Sequence, residues 1–68
     1  MSTRKTTEQE KEAMEFLNLL RNTGVTNMFG SAPYVQVEFG IEKKEARRLV
    51  SLWMSNFNEE GKYDEVKI

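Results

Sequence analysis

Ala32-Pro-Tyr-Val-Gln-Val-Glu-Phe-Gly-Ile-Glu-Lys-Lys-Glu-Ala-Arg-Arg-Leu-Val50 decides the reading of this chain. Gly40 divides it into two amphipathic patterns. Before Gly40, Ser31 is a good N-cap, and Pro33 suits a first helical turn, where its missing N–H has no partner to lose. Val35 and Phe39, four residues apart, share one helical face. The pattern predicts a short helix over 32–39 that Gly40 ends. After Gly40 and Ile41, the apolar residues Ala46, Leu49, Val50, Trp53, Met54 and Phe57 recur at spacings of three and one. That periodicity predicts a second, longer helix over 42–56 with one continuous apolar face.

Toward the N-terminus, Thr7 and Glu10 have the spacing of a capping box, in which hydroxyl and carboxylate each satisfy a free backbone N–H. Glu8, Glu10 and Glu12 suit the positive end of a helix dipole. Ala13, Phe16, Leu17 and Leu20 then follow at helical spacing, widened by Met14 and Leu19. Gly24 can adopt the left-handed conformation that closes a helix. A first helix is therefore expected over 8–22. Val25, Met28 and Phe29 in the connector are expected to plug the core. Residues 1–6 read as a flexible arm and 59–68 as a C-terminal tail, with Glu59-Glu60-Gly61 breaking the last helix. The weak alternation over 62–68 leaves a short strand, a docked arm and disorder all open. The expected architecture is all-α, a small three-helix domain spanning 7–58.

With 68 residues the chain forms one domain at most. Such a domain buries only ~60% of its unfolded surface, so its stability is small. There is no cysteine and no histidine, and Asp64 is the only aspartate. Disulfides, thiolate or imidazole metal ligands and the commonest general bases are thereby excluded. The four glycines are isolated, so no phosphate-binding loop is present. No enzyme activity, metal or cofactor is expected. No apolar run approaches the ~20 residues of a membrane span. The N-terminus lacks the apolar stretch of a signal peptide, so a cytoplasmic setting without a membrane partner is expected.

The formal net charge of −1 conceals an uneven distribution. Residues 6–30 carry Lys11 and Arg21 against Glu8, Glu10, Glu12 and Glu15. Residues 41–58 carry Lys43, Lys44, Arg47 and Arg48 against Glu42 and Glu45. At ~100° per residue, Arg47, Ser51, Lys44, Ser55 and Arg48 fall opposite the apolar face of the last helix, with Glu42 and Glu45 to one flank. Lys43 and Lys44 sit at the helix end that favours anions. Lys43–Arg47 and Lys44–Arg48 are like-charge pairs at i,i+4, each costing ~0.2–0.5 kcal/mol, and only Glu45–Arg48 offsets them. Local rules are broken in this way where a site needs it. Phosphates would relieve the repulsion.

The 32–50 stretch resembles the helix-turn-helix unit of DNA-binding proteins. Gly40 stands where that family places its turn glycine. Phe39, Ile41 and Val35 meet its apolar demands around the turn, and Ala46 and Leu49 meet those farther on. Gln36 departs from it, because the family has a small residue four before the glycine. The resemblance implies that the last helix docks in the major groove of double-stranded DNA, in a transcriptional regulator. Lys43, Lys44, Arg47, Arg48 and Ser51 would contact bases and phosphates, and Ser31 and Tyr34 would touch backbone phosphate. So small a reader implies a homodimer or a larger complex. Residues 27–34 and 39–47 also resemble short proteins of marine phages and microbes, a likeness that implies no activity.

Trp53 and Phe57 read as core residues and Met14, Met28 and Met54 as gap-fillers. Arg4 and Lys5 read as a solubilising end rather than a minor-groove arm. Leu19 and Leu52 lie off the main apolar faces and point to pairing between chains. The alternative function is a small helical protein-interaction module that binds no nucleic acid.

Overall fold

The computed structural model describes residues 2–24 and 30–67. The elements run β1 (Thr3–Lys5), α1 (Glu8–Thr23), α2 (Ala32–Phe39), α3 (Lys43–Asn56) and β2 (Glu65–Lys67). Thr7 caps α1 through a complete capping box: its hydroxyl accepts from the Glu10 N–H, and the Glu10 carboxylate accepts from the Thr7 N–H. Gly24, at φ 69°, closes the helix, its N–H donating to the Arg21 carbonyl at 3.3 Å. Val25, Met28 and Phe29, expected to plug the core, lie outside the described residues.

Helix α2 begins and ends where the sequence predicts, with Pro33 in its first turn. Gly40 adopts φ 61° and ψ 41°, and both its N–H and that of Ile41 reach back to the Gln36 carbonyl. These bonds satisfy an otherwise orphaned acceptor at the helix end. Only Gly40, Ile41 and Glu42 separate α2 from α3. Glu42 is extended, at φ −71° and ψ 156°, so α3 starts one residue later than expected. Ala13, Met14 and Leu17 of α1, Val35 of α2, and Ala46, Leu49, Val50 and Trp53 of α3 make the core. Edge-on ring pairs close its sides: Phe16–Phe39 at 5.8 Å and Trp53–Phe57 at 5.6 Å between centroids.

The expected all-α class needs correction. The domain is largely helical, but β1 and β2 pair antiparallel, with Thr3 opposite Lys67, Arg4 opposite Val66 and Lys5 opposite Glu65. The arm and the tail are thus joined to each other and to the helices. Three anchors explain why. Val66 and Tyr63, each 1% exposed, complete the core. Thr6 donates its hydroxyl to the Tyr63 carbonyl at 2.6 Å and its N–H to the Asp64 carbonyl at 3.0 Å. Asn56 Oδ1 accepts from the Lys67 N–H at 2.9 Å.

A half-buried polar cluster holds the tail against the helices. Asn18 Oδ1 accepts from Trp53 Nε1 at 2.7 Å and from the Tyr63 hydroxyl, while its Nδ2 donates to the Asn58 carbonyl at 3.1 Å. One asparagine therefore bridges α1, α3 and the tail. Gly61, at φ 71°, turns the chain beside it; a Cβ there would come within 3.3 Å of Asn18 Nδ2.

Candidate nucleic-acid interface

The first two turns of α3 present Lys43, Lys44, Arg47 and Arg48 as exposed side chains, with Ser51 exposed one turn on. Their surroundings differ. Arg47 and Ser51 line a shallow hollow with Ala32, Val50 and Met54, where the start of α2 meets α3. Arg48 turns to the opposite flank. Its Nε and Nη2 bind the two Glu45 oxygens at 2.7 Å each, and its Nη1 binds Glu10 Oε2 at 2.9 Å.

Glu10 is the hub of this network. Its residue is 3% exposed, yet its carboxylate takes Arg4 in a two-pronged pair at 2.8 Å and 2.8 Å, Arg48 at 2.9 Å and the Thr7 N–H at 2.9 Å. Four donors for one carboxylate offset the cost of burying it. The Arg4 guanidinium, above all, holds the Glu10 carboxyl far below the usual carboxylate range against its desolvation, with Thr7 and Arg48 adding to the effect. Glu45, and then Glu10, push the Arg48 guanidinium well above its ordinary value, and Arg48 lowers the Glu45 carboxyl in return.

Among the described residues, no carboxylate pairs with Lys43, Lys44 or Arg47. The structure therefore divides the four cations into three that are unneutralised and one that is locked. The Lys44–Arg48 repulsion is offset by two carboxylates, whereas Lys43 and Arg47 have no such relief. Ser31, at the start of α2, is 2% exposed. Tyr34, 41% exposed, lines a different hollow with Phe16, Pro33, Val37 and Glu38, apart from Arg47 and Ser51. Arg4, expected at a loose end, is held by Glu10.

The Glu10 hub and the Asn18 cluster were missed by sequence reasoning. The capping box gave Glu10 a local role that concealed its long-range one. Among the described residues, no three carboxylates converge as metal ligands, and no helix is long and apolar enough to cross a membrane. No family model, no curated protein and no solved structure matches the chain.

Proposed function

We propose that the protein binds double-stranded DNA through α3, with α2, the Gly40 turn and α3 acting as a helix-turn-helix. One observation carries this reading. Lys43, Lys44 and Arg47 are exposed, clustered on the first two turns of α3 and without a carboxylate partner among the described residues. Lys43 and Lys44 would neutralise phosphates. Arg47, beside Ser51, would reach a base edge or the facing phosphate. Arg48 positions α3 instead, because both of its carboxylate partners must be given up before it can reach DNA. The small contact surface favours a dimer or a larger complex on DNA, and regulation of transcription is the role such a unit would serve.

The test is fluorescence anisotropy of a labelled random-sequence duplex at low and moderate salt. Binding at low salt that falls steeply with added salt supports the proposal, since log K drops by about 0.9 per neutralised phosphate for each tenfold rise in salt. Replacing Lys43 and Lys44 by alanine should flatten that dependence by about two phosphates. Absence of binding at low salt overturns the proposal.

A further inference from the structure

On the far flank of α2, two adjoining hollows of about 360 and 400 Å³ run along the seam with α1 and share Phe16 and Glu38. Their apolar lining includes Val37, 86% exposed, Leu19, 63% exposed, and Tyr34, 41% exposed, beside the half-buried Phe39. Exposed apolar side chains gathered along one groove and rimmed by polar residues are the pattern of an interaction surface. The charged residues on the rim are Glu12, Glu15 and Glu38, and no lysine or arginine lines either hollow. None of the three carboxylates forms an ion pair among the described residues.

That rim selects the occupant. A second copy of this chain, docked about a two-fold axis, would bring the same three carboxylates to face their equivalents. A segment with an apolar stripe flanked by lysines or arginines satisfies floor and rim together. We propose that the α1–α2 groove docks a basic amphipathic helix of a partner protein, whose apolar residues enter the two hollows and whose cations meet Glu12, Glu15 and Glu38. At 100° per residue, Tyr34 and Glu38 point to the α1 flank of α2, while Ala32 and Gln36 point to the α3 flank. Groove and cationic face can thus be occupied at once, and the proposal stands whether or not α3 binds DNA.

The experiment titrates the isotope-labelled full chain with two synthetic amphipathic helices of one apolar pattern, one leucine/lysine and one leucine/glutamate. Amide shifts are followed by NMR. The expected result is saturable shifts centred on Leu19, Tyr34 and Val37, with the lysine peptide at least about tenfold tighter. Leu19→Asp with Val37→Asp should abolish the shifts while leaving the thermal midpoint intact. Glu12→Lys, Glu15→Lys and Glu38→Lys together should reverse the peptide preference. Equal binding of both peptides, shifts that ignore these variants, or no saturable shift would overturn the proposal. So would self-association of the free chain that Val37→Asp removes, since it assigns the groove to a second copy.

Discussion

Arg48 Nη1 donates to Glu10 Oε2 at 2.9 Å, tying the second turn of α3 to the capping box of α1. The same carboxylate holds Arg4 of β1, so one buried anion fixes three elements. Glu10→Ala leaves two guanidiniums facing an emptied site and removes half of the capping box. Because the Arg4 and Arg48 side chains are 39% and 47% exposed, water takes over part of the lost pairing, and the expected loss is about 1–3 kcal/mol. Arg48→Ala should cost less, because Arg4 still neutralises Glu10. Urea unfolding of the two variants beside the parent checks both the size and the order.

Acid should act through the same carboxylate. The folded-state affinity of Glu10 for a proton is depressed, mainly by the Arg4 hydrogen bonds, and that of Glu45 is depressed by Arg48. A depressed carboxyl contributes stability that is complete above its unfolded value, near ~4.3, and is lost as pH falls below it. The urea midpoint should therefore be nearly flat from about pH 6 to 8 and fall progressively below about pH 4.5. Glu10→Gln retains an acceptor for the Thr7 N–H but cannot ionise. It should be less stable at neutral pH and show a shallower acid slope. An unchanged slope would refute the role given to Glu10.

The three helices were legible because each carries many concordant signals, such as the Thr7 and Glu10 cap, the Gly24 and Gly40 stops and the apolar face from Ala46 to Trp53. The strands were legible only in part: the weak alternation over 62–68 left a short strand open where β2 forms, but Thr3–Lys5 carries no apolar residue to mark β1, and Tyr63 and Val66 are isolated apolar residues in a polar tail. The hydroxyl of Tyr63 is held by Asn18, 45 positions away in sequence. The candidate site divides in the same way. Residue types and spacing placed the cations on one helix face and set Glu45 beside Arg48, as the structure has it, but the second partner of Arg48 was hidden. The Glu10 partner of Arg48 lies 38 positions away.

The turn between α2 and α3 depends on a conformation that disfavours a side chain. Gly40 sits at φ 61°, with nothing within 4 Å of where a Cβ would project. The cost of Gly40→Ala is then backbone strain alone, about 1–2 kcal/mol. Gly40→Asn should cost less, because asparagine tolerates the left-handed region better. Thermal midpoints in the order glycine, asparagine, alanine would confirm that strain and not crowding is at work.

Asn18 joins the tail to the helices, and its removal tests that link. Asn18→Leu keeps the bulk but strands Trp53 Nε1–H, while the Tyr63 hydroxyl is left with the Asn58 carbonyl at 3.3 Å as its acceptor. A stranded donor costs about 1–3 kcal/mol, so the variant should lose stability on that scale. Tyr63→Phe removes one donor together with its need for a partner and should cost ~1 kcal/mol. Trp53 is the only tryptophan, so its fluorescence reports both changes directly.

Arg47 and Arg48 are neighbours of one residue type with different surroundings, and that contrast separates binding from folding. Arg47 has no carboxylate partner among the described residues, whereas Arg48 is held by Glu45 and Glu10. Arg47→Ala should leave the unfolding free energy, read from urea titration, within about 0.5 kcal/mol of the parent, as for surface substitutions generally. It should also weaken duplex binding and reduce the salt slope by about one phosphate. Arg48→Ala should do the reverse, lowering stability while leaving the salt slope of the folded protein unchanged. If both variants weaken DNA binding equally at matched stability, Arg48 leaves Glu10 when DNA binds, and the division of the cations into free and locked fails.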